Sequence, residues 1–117
     1  MESIDEKISR YRQIILDFLY ERAAIKIVNR PGCEHVVIAD TERNHYQLLT
    51  MGWTPTQYVH SLAFHLDIEA DGKIWLRANW TDTDIAQVLV ERGVAKSDIV
   101  LGFYPASMRE LSEYAVA

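Results

Sequence analysis

Cysteine is nearly absent. The 117 residues contain one, Cys33, so no internal disulfide can form, and no Cys and His spacing matches a zinc site. Long hydrophobic runs are missing as well. None approaches the ~20 apolar residues that cross a bilayer, and the opening MESIDEKISR is charged where a secretory signal would be apolar. A cytoplasmic protein with no membrane association is therefore expected. Positive charge is in short supply: 12 Lys and Arg stand against 17 Asp and Glu, for a formal net charge of −5. The basic residues are also dispersed among acids, which counts against direct DNA binding, because gripping phosphates takes clustered Lys and Arg. No low-complexity segment and no internal repeat is visible.

What remains is a globular composition, 49% hydrophobic and 25% charged. The length suits a single domain, residues 1–117, burying about two-thirds of the surface of its unfolded chain. The organising stretch is Tyr58 to Glu69, YVHSLAFHLDIE. Tyr58, His60, Leu62, Phe64, Leu66 and Ile68 share one parity, the period of a strand buried on one face. Lys73 to Trp80 alternates likewise, with Ile74, Leu76, Ala78 and Trp80 together. Asp71-Gly72 between them marks a hairpin. A two-residue turn would set Leu66 against Arg77 and mix the faces. A three-residue loop, Ala70-Asp71-Gly72, sets Ile68 against Ile74, Leu66 against Leu76, Phe64 against Ala78 and Leu62 against Trp80, with Glu69 facing Lys73 and Gly72 left-handed.

Upstream, Ser3 and Glu6 have capping-box spacing, and Ile4, Ile8, Tyr11, Ile15 and Phe18 form an apolar stripe, which predicts a helix over Ile4 to Ala23. It either covers the sheet or pairs as a coiled coil. After the break at Asn29-Arg30-Pro31-Gly32, a strand is expected from Glu34 to Asp40, apolar on both sides, hence covered on both faces or lying at an interface. A second strand follows from His45 to Trp53. Downstream, a helix is expected over Asp82 to Arg92 with Ile85, Val88 and Leu89 buried and Gly93 as its cap. A last strand over Ile99 to Phe103 comes next, then a short helix opened by a second capping box, Ser107 and Glu110. The fold class is α+β: a mainly antiparallel sheet of four to five strands, with the N-terminal and second helices packed on one face.

Candidate chemistry is sparse. His65, Asp67 and Glu69 share a face and could hold a metal or serve a hydrolase, although the same pattern describes a solvated sheet face with Arg77 opposite His65. Glu69 and Lys73 read more simply as an ion pair than as part of a nuclease site. Cys33 has no identifiable activating partner. Asp40, Glu42 and Arg43 make a charged loop suited to recognition. Trp75 falls on the polar face beside Asp67, and an exposed Trp flanked by charge is an interface candidate. Tyr114 to Ala117 either docks on its own sheet or adds to another chain. The candidate partner-binding residues are thus Asp40, Glu42, Arg43, Trp75, Tyr114 and Val116, with no catalytic residue, metal or cofactor expected.

The stretches YRQII (Tyr11 to Ile15), DTERNHYQLL with GW (Asp40 to Trp53), HLDI with DGKIW (His65 to Trp75), IA with LVE (Ile85 to Glu91), GVAKSDIVLGFYP (Gly93 to Pro105) and the terminal AVA carry a resemblance. They match in collinear order, and the chain closely resembles the XisI family, the fdxN element excision controlling factors. Asn79-Trp80 departs from that pattern, where an acidic residue and Gly often stand, as does Tyr104, where His often precedes Pro. The resemblance implies a non-enzymatic accessory role with a XisH-like, nuclease-like partner in controlling excision of a DNA element by a separate site-specific recombinase. It supplies no catalytic residues to carry over. An antitoxin-like inhibitor of a nuclease partner and a metal-dependent hydrolase are the alternatives, and self-association stays open.

Overall fold

In the computed structural model, which describes residues 1–117, the Ser3 side chain accepts from the Glu6 backbone and Glu6 reaches back to Ser3. This capping box opens helix α1, Ile4–Ala23, at the expected bounds. Tyr11, Ile15, Phe18 and Leu19 are its buried stripe, each contributing about 1.5–3 kcal/mol on burial, so α1 covers its own sheet. The sheet comprises β1 (Cys33–Asp40), β2 (His45–Trp53), β3 (Tyr58–Ile68), β4 (Ile74–Asn79) and β5 (Ile99–Leu101), in the spatial order β1-β2-β3-β4-β5. All neighbours are antiparallel except β4 and β5. That single parallel pair follows from the crossover through helix α2, Ile85–Glu91, which returns the chain to the same edge.

The helix-covered face carries Tyr46, Leu48, Phe64, Leu66, Ile68, Ile74, Leu76 and Ile99, packed against α1 and against Ile85, Ala86 and Leu89 of α2. Both helices therefore lie on one face, as expected. Helix α2 starts later than the expected Asp82, because Asp84 caps it, accepting from the Gln87 backbone N–H.

The hairpin loop has the expected three residues. Ile68 pairs with Ile74 and Leu66 with Leu76, the Glu69 N–H donates to the Lys73 carbonyl at 2.9 Å, and Gly72 has φ 86°. Beyond Leu66 the expected register fails. His65 pairs with Ala78 and Phe64 with Asn79, so Arg77 is an unmatched bulge residue. A second bulge lies between β2 and β3, where Leu48 faces Phe64 but Leu49 faces Leu62, leaving Ala63 unmatched. Each extra residue turns everything beyond it to the other face. Tyr58, His60 and Leu62 therefore do not share a face with Phe64, Leu66 and Ile68 as strict alternation would require, and Trp80 is 79% exposed rather than paired with Leu62.

The C-terminal region also differs in detail. Strand β5 ends at Leu101, and the last helix, α3, is only Ala106–Arg109 with Pro105 at its N-cap and no side-chain cap. The Ser107 and Glu110 capping box does not form, because the helix starts at Ala106, two residues too early for Ser107 to be its N-cap. The tail docks at home: the Ala115 N–H donates to the Ile99 carbonyl at 2.8 Å, and Ala115 bridges Val100 in parallel. No helix is long and apolar enough to cross a membrane.

Candidate functional site

Residues facing each other across strands share a face, and one such row crosses the whole sheet. Asp40 pairs with His45, His45 with Asp67, Asp67 with Trp75, Trp75 with Val100 and Val100 with Ala115. The row lies on the face opposite α1 and α2. Tight turns set it, and the middle hairpin loop holds Asp67 against Trp75.

Asp67 is its centre and, at 5% exposure, the one buried acidic residue. Its Oδ1 accepts from His45 Nδ1 at 2.8 Å and from His65 Nε2 at 2.9 Å, and its Oδ2 accepts from Arg77 Nε at 2.9 Å. Burial alone would raise the carboxyl, but the bonds from Arg77, His45 and His65 outweigh it and hold Asp67 below the usual carboxylate range. Gln47 Nε2 lies 3.4 Å from His65 Nδ1, which suits an imidazole carrying its proton on Nε2, toward Asp67. The bulge at Arg77 lets the guanidinium serve two acids at once: its Nη2 donates to Glu69 Oε1 at 2.6 Å. The expected Glu69–Lys73 ion pair is therefore absent; Lys73 instead donates to the Ala117 carbonyl at 2.5 Å and lies 3.7 Å from Asp71. This face is a packed ionic cluster here, not the solvated surface that alternation suggested.

Trp75 lies on this face as expected, yet it is half-buried rather than exposed. The Arg77 and Arg109 guanidinium carbons stand 4.7 and 5.3 Å from its ring centroid, a cation–π arrangement. Arg109 also donates to the Val116 carbonyl at 2.7 Å and the Tyr104 carbonyl at 2.8 Å, tying the tail to the cluster. Tyr114 turns toward the helix-covered side, against the core, while Val116 is 42% exposed. Asp40 closes the β1–β2 turn by accepting from the Arg43 and Glu42 N–H groups at 3.0 and 3.1 Å, and the Arg43 N–H is the chief reason its carboxyl is held low. Glu42 and Arg43 are exposed at the tip. Asn44, with φ 61°, anchors the turn to α1 through Arg12 and Tyr46.

Toward the other end of the same face, Val36, Ile38, Leu49, Met51 and Leu62 form an apolar band, and the rings of Trp53, Tyr58 and His60 follow one another, Trp53 tilted against Tyr58 at a centroid distance of 5.4 Å and Tyr58 stacked on His60 at 6.3 Å. Pairing of Trp53 with Tyr58 and of Leu49 with Leu62 sets these residues together. Sequence reasoning missed this end because the Ala63 bulge has no signature in the alternation. Of the suggested metal set, His65 and Asp67 come together, Glu69 is drawn off by Arg77, and His45, not considered, joins them. The donor atoms of His45, His65 and Asp67 lie within 4.8 Å of one another.

A concavity of about 670 Å³ lies elsewhere, beyond the C-terminal end of α1 between Arg22, His35, Thr50, Ser61 and Trp80, and a second of equal volume adjoins it at His35 and Ile25. His35 Nδ1 is 3.0 Å from Thr50 Oγ1 there, and burial, aided by Arg22, pushes its imidazole down.

Fold and surface together define an α+β sheet protein with one face covered by helices and the other graded from aromatic to ionic. The chain belongs to the XisI protein family, whose model matches residues 5–116. It is similar to a XisI-like protein from Anabaena variabilis ATCC 29413, with 37% identity, a TM-score of 0.85, and coverage of 94% of this chain and 99% of that one. It is also similar to the fdxN element excision controlling factor XisI from the same organism, at 30% identity and a TM-score of 0.75, covering 95% and 99% of the two chains. No protein of curated function matches the chain.

Proposed function

We propose that this chain is a non-enzymatic excision controlling factor that binds a XisH-like protein partner and thereby regulates recombinase-dependent excision of a DNA element. The family match over residues 5–116 and the 30% identity to an excision controlling factor support the role in excision control. The single observation supporting a protein-binding mechanism is the graded open face. Trp53 is 66%, Tyr58 51% and Ile38 47% exposed, and aromatic anchors beside apolar side chains and a rim of fixed charge are the composition of a protein interface. The net charge of −5 fits a protein partner better than bare DNA.

Coexpression with the XisH-like protein and copurification tests the reading. A complex is expected that Trp53→Ala with Ile38→Glu weakens by at least about tenfold, as loss of interface anchors does. No complex at micromolar concentration, or one indifferent to those changes, overturns it. Suppression of a nuclease activity of the partner would redirect the mechanism to inhibition.

A further inference from the structure

We propose that His45, His65 and Asp67 form a binding site for one divalent transition-metal ion of the zinc class on the open face of the sheet. The inference does not rest on the excision-control reading. It rests on convergence: two imidazole nitrogens, from β2 and β3, meet a single carboxylate oxygen, Asp67 Oδ1, at 2.8 and 2.9 Å. Tetrahedral coordination at ~2.0–2.1 Å sets neighbouring donors roughly 3.3 Å apart, so each imidazole nitrogen must draw back from Oδ1 by about half an ångström, while the two nitrogens already lie within 4.8 Å of one another. The His45 side chain, 55% exposed, is free to make that adjustment and leaves an entry path and a further coordination position on the solvent side.

The surrounding groups suit the task. Arg77 holds Oδ2, which orients the carboxylate with Oδ1 toward the imidazoles. The Gln47 amide stands beside His65 Nδ1; with its oxygen and nitrogen exchanged by rotation it would accept an Nδ1–H and fix the tautomer whose Nε2 is free to ligate. With neutral imidazoles the local charge is −1, from Asp67, Glu69 and Arg77, so a dication is attracted despite the guanidinium. Two nitrogens and one oxygen favour Zn²⁺, Co²⁺ or Ni²⁺ over Mg²⁺ and Ca²⁺, which take oxygen ligands.

Titration of the tag-free full chain with zinc chloride by calorimetry, and with cobalt chloride by visible absorption, tests the site. Saturable 1:1 binding is expected, with tetrahedral cobalt bands and no comparable response to magnesium. His45→Ala and His65→Ala should each weaken zinc binding by at least about tenfold, whereas His60→Ala and Cys33→Ser should leave it unchanged. Half-exposed His45 can be replaced without opening the core, so its variant stays informative even if His65→Ala fails to fold. Absence of saturable zinc binding at about 100 μM, retention of full affinity in His45→Ala, or loss of binding in Cys33→Ser overturns the proposal.

Discussion

Asp67 shows how one residue can combine burial and charge. Its three donors hold the carboxylate ionised inside the sheet surface, and removing the charge leaves Arg77 and two imidazoles without their shared acceptor. Asp67→Asn is expected to cost about 2–4 kcal/mol at pH 7 by urea denaturation. Because the folded-state carboxyl is held low, its contribution is fully present above the unfolded value near ~3.9 and is lost as pH falls through the lower folded one. The gap between wild type and Asp67→Asn should therefore narrow below about pH 4; a gap constant from pH 7 to 3 would refute this. Tyr11 makes a similar point within the core. Its hydroxyl donates to Asp98 Oδ2 at 2.6 Å, and burial together with Asp98 pushes the phenol up. Tyr11→Phe should destabilise by about 1–2 kcal/mol through the acceptor it deprives, measurable in the same titration.

At the scale of elements, the two bulges decide what each strand presents. Ala63 is small enough to sit unmatched at little cost, and Arg77 in its bulge reaches Asp67 and Glu69 together. The start of the β1–β2 ladder depends instead on close approach. A Cβ on Gly52, at φ 140°, would lie 2.1 Å from the Gly32 carbonyl oxygen, so backbone rather than a flexible side chain must move. Gly52→Ala is expected to cost about 2 kcal/mol or more, seen as a lower urea midpoint. The tail is an element too. Deleting residues 113–117 removes the bond from Ala115 to Ile99 and uncovers Val100, which is fully buried. Amide exchange should then quicken in β5 and β4 while β1 and β2 keep their protection; uniform loss of protection would show that the tail supports the whole fold.

The whole molecule, 52 × 31 × 24 Å, is two layers thick, helices on one face of a single sheet. Such a design leaves a second face without a covering layer, and here that face runs from the Trp53, Tyr58 and His60 rings to the Asp67 cluster. Strand β1 reads as apolar on both sides because Val37 faces α1 while Val36 and Ile38 face outward, at the sheet's edge. The proposed partner would bury that outward side.

Local chemistry alone determined much of this protein. Helix α1 and its capping box, the bounds of β2, the three-residue hairpin loop and the α+β class with its mainly antiparallel sheet follow from periodicity and turn residues, which act over a few positions. The position of Asp67 beside Trp75 was legible for the same reason, being three pairs from a short loop. Only the tertiary structure decided the bulges at Ala63 and Arg77, the face on which Tyr58 and His60 stand, the sheltering of Trp75 by Arg109, and the meeting of His45 with His65 and Asp67. Those depend on which strands lie side by side and where an extra residue is absorbed between them, and alternation within one strand carries no information about either.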